Sequence, residues 1–390
     1  MDKTKLWTAN LVIIIITNFL TFFAFLLFPT ALPPYLKTLG ASDNIIGWMQ
    51  WILTATTLLM RPFTGMAIDK FGRRGIFFIG LVSLMLSSGA YYFFPTVGII
   101  ILIRAIHGIA WGIANTACST VASDNVEKVR FAEGMGYVSL ASGIAMASAP
   151  AVALSISVKN CILVAFAACA FCLLLSFAIK YKKQPDSRNA VNIKVSPYAK
   201  ESVMPSCTVF FVTTTYGALV TFLAIYGAEK SMGNIALFFA AHAVSMLVTR
   251  PFVGKLVDRK GYSYGVWPGF TLAPAGLVLL SVSNSLAMLI ICAILFGIGM
   301  GSAQTSMQAM AIIRAPKERT GAANATFFSF FDGGVGVGAL VAGFLSTAFG
   351  YGNMFALMAI SPILGGVLYF TAIYAQKRAG NKQKKGVVNE

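Results

Sequence analysis

The sequence predicts an all-α membrane protein of twelve transmembrane helices in two six-helix repeats. Three observations predict this class: the composition is too apolar for a soluble domain, the apolar residues come in long runs, and one segment of the first half recurs in the second. Of the 390 residues, 57% are hydrophobic and 11% are charged. A soluble domain carries about 25% charged residues. The surroundings of this chain are therefore lipid.

Each apolar run is about 20 residues long, the length that an α-helix needs to cross the hydrocarbon core of a bilayer. The first half contains runs at 7–28, 45–66, 76–94, 97–121, 133–157 and 161–180. The second half contains runs at 207–227, 235–254, 264–283, 286–313, 322–347 and 353–376. These runs divide the chain into an N-terminal six-helix bundle (1–180), a cytoplasmic linker (181–206), a C-terminal six-helix bundle (207–376) and a basic cytoplasmic tail (377–390).

The distribution of basic residues predicts the orientation in the membrane. Nearly all of the 30 Lys and Arg residues fall on the side of both chain ends, whereas Lys37, Lys159 and Lys230 fall in loops on the other side. Arg104 alone is assigned to the membrane interior. By the positive-inside rule, both termini are cytoplasmic, and the chain is a multi-pass protein of the cytoplasmic membrane. The net charge of +17 is thus an orientation signal, and it predicts no nucleic-acid partner.

A segment at the end of the second run recurs in the second half. Residues 61–72 read RPFTGMAIDKFG, and residues 250–261 read RPFVGKLVDRKG. The same offset of 189 positions relates residues of the fourth run to the tenth, namely Gly108 to Gly297, Gly112 to Gly301, Asn115 to Gln304 and Ser119 to Gln308. The halves are therefore parallel copies, and six helices in each give both copies one orientation.

The pattern R-P-x-x-G-x-x-x-D-x-x-G-R-R that begins at Arg61 resembles the signature loop of the major facilitator superfamily. Arg104 and Gly108 match the R-x-x-x-G motif of its twelve-helix, proton-coupled efflux branch. The helix-5 motif of drug antiporters survives only as Gly134, Gly143 and a displaced Pro150. The resemblance implies a secondary transporter of a small solute that needs no cofactor, and the incomplete motif leaves the direction of antiport open.

The repeated loop is predicted to act as a conformational latch on the cytoplasmic side, formed by Gly65, Asp69, Gly72, Arg73, Asp124 and Asp258. Gly65 permits close contact between helices. The carboxylate of Asp69 can accept hydrogen bonds from the N-terminus of the eleventh helix, which is the neighbour that the family implies. Arg73 can pair with Asp124, but Ile313 replaces Asp124 in the second copy, so we expect an asymmetric latch. The alternative is that the basic residues of this loop only anchor the topology.

Two charged residues, Arg104 and Asp332, are assigned to the bilayer interior, where a charge costs about 2.5–3.5 kcal/mol. Arg104 shares one helix face with His107 because they are three positions apart. We predict that Asp332, Arg104 and His107 carry proton coupling. Each has a structural alternative. Asp332 could be an acid bonded to a Ser or Gln of a neighbouring helix, and Arg104 could extend its side chain to the outer surface. His107 could be a hydrogen-bonded core residue.

Polar positions on the first, fourth, seventh and tenth helices predict a central substrate cavity. The residues predicted to line it are Asn18, Thr21, Trp111, Asn115, Tyr216, Tyr226, Gln304 and Gln308. Hydroxyl groups in membrane helices also bond to their own backbone, so a packing role stays open for them.

These features predict a secondary active transporter that moves a small organic solute by alternating access. Proton-coupled efflux of a drug-like or metabolite substrate is the first version, and proton-linked uptake of a sugar or organic acid, or flipping of a lipid-linked substrate, are the alternatives. The sequence has no P-loop and no H-E-x-x-H, which predicts that the chain is not an enzyme. Its C-x-x-C, formed by Cys169 and Cys172, lies in an apolar run without His or acidic partners, so no metal site is predicted. We expect a monomer whose partners are the solute, protons and the lipid bilayer.

Overall fold

The computed structural model describes residues 7–126, 131–181, 198–316 and 320–387, which contain helices and no strand. The first half comprises α1 (Ala9–Thr38), α2 (Asp43–Phe71), α3 (Arg73–Phe93), α4 (Val97–Asn125), α5 (Phe131–Ser155) and α6 (Val158–Ala178). The second comprises α7 (Val203–Glu229), α8 (Ala236–Lys260), α9 (Tyr262–Ser281), α10 (Leu286–Arg314), α11 (Thr320–Met358) and α12 (Ile360–Val387), after a 3-10 turn at Lys200–Ser202. The predicted fold class is confirmed.

Several helices extend beyond the apolar runs. α1 continues to Thr38, whereas the first run was predicted to end at residue 28, next to Pro29. Three prolines, Pro29, Pro33 and Pro34, lie inside this helix. A proline normally ends a helix because it lacks the N–H donor, but neighbouring helices can satisfy the freed groups inside a membrane.

Ten described segments are long and apolar enough to cross a membrane. One of them, Ala322–Ala375, contains two crossings, because Gly350 has φ +76° and ψ 166° and interrupts the helical backbone within α11. Only glycine adopts such a conformation without strain. α2 is not among the ten segments. It nevertheless packs between α4 and α11, so its place in the bundle completes the twelve helices.

A close contact between two helices of the first half recurs between the corresponding helices of the second half. A Cβ on Gly108 of α4 would lie 2.1 Å from the Thr56 hydroxyl of α2, and a Cβ on Gly297 of α10 would lie 2.8 Å from Ser245 of α8. Both residues of the second pair stand 189 positions after those of the first. Glycine is required at both sites because the helices meet at backbone distance there. The sequence repeat is thus also a repeat of packing.

The halves meet where α2 packs on α11 and where α5 packs on α8. We call the side at which α1 begins and α12 ends the terminal side, and the other the opposite side. At the opposite side, the Tyr351 hydroxyl donates to Asp43 Oδ1 at 2.9 Å, and the Thr347 hydroxyl donates to Asn44 Oδ1 at 3.2 Å. A Cβ on Gly47 would lie 2.8 Å from a carbonyl oxygen of α11. The bundle is closed on this side.

Towards the terminal side the same helix faces separate. Gly65 lies one turn beyond Arg61 on the face of α2 that contacts α11, and Gly254 is its repeat counterpart on α8. No described atom lies within 4 Å of the Cβ position of either glycine. Among the described residues, the halves are therefore in contact at the opposite side and not at these two glycines, and we call the terminal side the open side.

Candidate functional site

Two arginines occupy the membrane interior in addition to Arg104. Arg61 lies within α2 and Arg250 lies within α8, both well before the ends of these helices at Phe71 and Lys260. The assignment of Arg104 as the one basic residue inside the membrane was therefore wrong. Both arginines lie inside the predicted runs 45–66 and 235–254, and the helices continue beyond these runs to Phe71 and Lys260 before the loop begins.

Arg61 forms an ion pair with Asp332 between the two halves. Its Nη2 atom lies 2.5 Å from Oδ2 of Asp332, and the two side chains are 14% and 29% exposed. Asp332 is on α11, so the contact joins the first half to the second. The alternative of an acid bonded to a Ser or Gln was wrong about the partner, which is a guanidinium. Charge-assisted bonds of this kind are about twice as strong as neutral ones.

Arg250 occupies the equivalent position in the second copy but has no acid opposite it. Its Nη2 atom donates to Gln304 Oε1 at 3.2 Å, and its Nε atom is buried without a hydrogen-bond partner in the described part of the chain. The guanidinium lies against Gly143 of α5, where a Cβ would stand 2.7 Å from Nη1. The offset of 189 positions makes Gly143 the counterpart of Asp332.

Three of the predicted cavity residues lie at the level of these arginines. Gln304 bonds to Arg250, and Gln308 follows it one turn later on α10 with a partly exposed side chain. Asn115, the counterpart of Gln304 on α4, is also partly exposed and accepts a 3.5 Å hydrogen bond from Ser119. These amides therefore flank the contact between the halves.

The predicted cavity residues of α1, and Trp111, lie within the first half. The Asn18 amide donates to the Val138 carbonyl at 2.9 Å, and the Thr21 hydroxyl donates to a backbone carbonyl of its own helix at 2.6 Å. Trp111 is stacked on Phe25 with ring centroids 3.9 Å apart. The structure does not bring these side chains to the arginines between the halves.

The two tyrosines of α7 are likewise buried within the second half. Tyr216 lies beside His242, with ring centroids 5.9 Å apart. The Tyr226 hydroxyl donates to the Ser281 carbonyl at 2.9 Å. In this conformation both pack between helices of one half.

Arg104 and His107 form a separate cluster near the opposite side. Arg104 is fully buried, which rules out snorkelling here, and its Nη2 atom donates to Gln50 Oε1 at 2.6 Å. Its Nε and Nη1 atoms have no partner among the described residues. His107 Nδ1 lies 3.2 Å from the Tyr91 hydroxyl. Sequence reasoning missed Gln50, although an amide within an apolar run was the signal.

The three residues predicted for proton coupling do not form one site. Arg104 contacts α2 at Gln50, whereas Asp332 contacts α2 at Arg61. At about 1.5 Å of rise per residue, these positions are about 16 Å apart along the helix. Both clusters nevertheless contact α2, which connects them.

The predicted pair of Arg73 with Asp124 is present, with Nε 2.8 Å from Oδ2. It joins α3 to α4 inside one half, so by itself it does not bridge the halves. Gly72 links α2 to α3 with φ +88°, and Gly65 makes no close helix contact in this conformation. The side chains of Asp69 and Asp258 lie outside the described part of the chain, so their role in the latch stays a prediction.

Twelve helices in two repeated bundles, with buried charges at the contact between them, are the architecture of membrane transporters built from parallel repeats. The family profile of the Major Facilitator Superfamily matches residues 14–332 and 205–389. The chain belongs to this family, and it is a membrane-spanning transporter rather than an enzyme.

Two relatives cover most of the chain. An uncharacterised MFS-type transporter of Methanocaldococcus jannaschii is 23% identical over 384 residues, which span 93% of this chain and 98% of the relative. Another, from Burkholderia pseudomallei, is 23% identical over 359 residues, which span 87% of this chain and 85% of the relative. Neither relative has an assigned substrate.

Solved structures show the same fold. The nucleoside transporter NupG has a TM-score of 0.72 at 13% identity, covering 93% of this chain and 99% of that chain. A bacterial homologue of the human lysosomal transporter Spinster, in an inward-facing and occupied conformation, has a TM-score of 0.74 at 15% identity, covering 93% of this chain and 96% of that chain. At these identities the likeness concerns the fold alone.

Proposed function

We propose that this transporter couples the movement of a small organic solute across the cytoplasmic membrane to a proton gradient, with Asp332 as the proton acceptor. Both termini are cytoplasmic in this proposal, because the basic residues concentrate on their side. The terminal side is then the cytoplasmic side, and the structure is inward-facing. The observation that supports the proposal is the ion pair of Arg61 with Asp332 between the halves.

A proton can change the energy of this contact. The ion pair requires an ionised Asp332, and protonation removes the negative charge and leaves Arg61 with a weaker, neutral partner. A hydrogen bond to a charged group contributes about 1.5–3 kcal/mol, against about 0.5–1.5 kcal/mol for a neutral one. A ligand shifts a conformational equilibrium by the difference in its interaction energy between the states. Proton binding to Asp332 therefore weakens a contact that holds the halves in the inward-facing arrangement.

The position of this ion pair favours exchange over co-transport. In an antiporter the carrier that holds neither proton nor solute must be prevented from crossing, whereas in a symporter it must be free to cross. An ion pair between the halves, formed while Asp332 carries no proton, restrains that crossing. This is the physical reason to prefer efflux of the solute against entry of protons, with proton-linked uptake as the alternative.

The coupling is tested without knowing the substrate. Spin labels at the terminal-side ends of α4 and α10 report the separation of the halves between about pH 5 and about pH 8. We expect the distance distribution of the wild type to change with pH, and that of Asp332→Asn to resemble the low-pH wild type throughout. Glu201→Gln is the matched control, since it removes an exposed acid of the 3-10 turn, which packs on helices of the second half.

Transport itself is measured in liposomes with an imposed pH gradient, screened across classes of compound. Once a compound is accumulated by the wild type, Asp332→Asn should move it without responding to the gradient. Gradient-driven accumulation by Asp332→Asn at the wild-type level, or a pH response that survives this substitution, would refute the role of Asp332.

A further inference from the structure

The two copies of the repeat differ at one place between the halves. In the first copy, Arg61 faces an acid, Asp332, across the contact between α2 and α11. In the second, Arg250 faces a glycine, Gly143, across the contact between α8 and α5. The residue that neutralises the first arginine is thus absent from the equivalent place beside the second.

We propose that the transported solute is a small organic acid whose carboxylate binds Arg250, in the place that the repeat assigns to the carboxylate of Asp332. This inference rests on one part of the proposed function, which is that the solute binds at the contact between the halves. It names the substrate class that the site takes, and it places the ligand on α8 and α10.

The hydrogen-bonding state of Arg250 supports this site. A guanidinium has five N–H donors arranged in a planar fork that matches a carboxylate. One of its nitrogens donates to Gln304 at 3.2 Å, and the buried Nε has no partner in the described part of the chain. A buried donor that is left unsatisfied is costly, and a charged donor more so. A solute carboxylate satisfies Arg250 in the way that Asp332 satisfies Arg61.

The surroundings provide room and access. Gly143 has no side chain, so the helix beside the guanidinium presents only backbone, and any larger residue would meet Nη1 at 2.7 Å. One turn towards the terminal side, Gly254 has no described atom within 4 Å of its Cβ position. A solute can therefore reach Arg250 from the open side. The amide groups of Gln304 and the partly exposed Gln308 are available for its other polar groups.

The charges around the three interior arginines also favour Arg250 as the binding site for an anion. Asp332 already neutralises Arg61, so the first arginine has no need of an anion. Arg104 is fully buried and bonded to Gln50, which leaves no entry path for a solute. Of the three interior arginines, Arg250 is the one that is partly exposed and has no acid as partner in the described part of the chain.

The test is equilibrium binding to the purified full-length protein at one pH, without a gradient. The probes are acetate, benzoate and 1-naphthoate, each paired with its uncharged amide. We expect carboxylates to bind the wild type and the amides to bind at least about tenfold more weakly, as for the loss of a charged hydrogen-bond pair. Arg250→Gln and Gly143→Asp should each weaken carboxylate binding by about tenfold or more, the second because its acid occupies the guanidinium.

Lys255→Gln is the matched control. It removes the same positive charge from α8, five residues away on an exposed position, and it should bind carboxylates as the wild type does. Equal binding of acids and amides, no binding of any carboxylate to the wild type, or unchanged binding to Arg250→Gln would each overturn the assignment. These results are independent of proton coupling, because the pH response of Asp332→Asn is measured without any solute.

Discussion

The hydroxyl of Tyr351 offers a direct test of how the opposite side is held shut. It donates a 2.9 Å hydrogen bond to Asp43, which connects α11 of the second half to the start of α2 in the first. Asp43 also pairs with Lys37 at 2.5 Å, but Lys37 belongs to the same half. The pair with Lys37 can therefore persist when the halves separate, whereas the bond to Tyr351 is made only while they are together.

Replacing Tyr351 by Phe removes this bond with little change in the volume of the side chain. A hydrogen bond to a charged acceptor contributes about 1.5–3 kcal/mol, and each 1.4 kcal/mol changes an equilibrium constant about tenfold. We expect Tyr351→Phe to raise the ratio of molecules open at the opposite side by about ten- to a hundredfold. Thr347→Val, which removes a neutral and exposed contact between the halves, should raise it by about tenfold at most.

The assay measures distances between spin labels at Asn160 and Asn284, two exposed positions at the opposite side of the two halves. Tyr369→Phe is the matched control, because its hydroxyl contacts Ser263 at 3.2 Å inside one half. That variant can lose stability but should not change the population ratio. Distributions for Tyr351→Phe that match the wild type, or an equal shift in Tyr369→Phe, would show that this hydrogen bond does not distinguish the two states.

Three further predictions concern packing, the buried arginine and the loop. Gly338→Ala should lower the free energy of unfolding by about 1–3 kcal/mol, because its Cβ would lie 1.9 Å from a carbonyl oxygen of α7. Gly254→Ala should not lower it, because its Cβ would meet no described atom within 4 Å. Gln50→Ala should impair coupled transport as Arg104→Ala does, since it removes the described acceptor of the buried guanidinium; wild-type transport by both variants at equal membrane abundance would contradict this. Asp69→Asn should shift the population towards the inward-facing state by at most about thirtyfold, because a contact between a charge and a helix end contributes about 0.3–2 kcal/mol. Distances between spin labels on α4 and α10 measure this shift.

The fold could be predicted because lipid restricts the possible structures. Apolar runs of about 20 residues in a membrane must be helices, and the offset of 189 positions then places each helix of one half over its counterpart. The helix ends were less predictable. Pro29 suggested an end to α1 at residue 28, but the helix continues to Thr38. The runs predicted for α2 and α8 end at residues 66 and 254, whereas the helices continue to Phe71 and Lys260.

The partners of the candidate site residues depend on packing between distant segments. Arg61 and Asp332 are 271 positions apart, and no periodicity within either helix indicates that α2 of one half faces α11 of the other. Hydroxyl and amide side chains are also ambiguous, because Thr21 bonds to its own helix and Asn18 to α5. From their polarity alone, such residues are predicted to line a cavity. Only the packing shows that their hydrogen-bonding groups have partners within one half.

The repeat makes the differences between the halves more informative than the similarities. Symmetric contacts, such as those of Gly108 and Gly297 with their neighbouring helices, are what two copies of one bundle require for packing. The difference between Asp332 and Gly143 is of another kind, because each position faces an arginine and only Asp332 supplies a negative charge. A transporter that exchanges a proton for an anionic solute needs one site that can bind a proton and one that can bind a negative charge. In the mechanism that we propose, the carboxylate of Asp332 is the proton site and Arg250, which faces Gly143, is the anion site, on one duplicated framework.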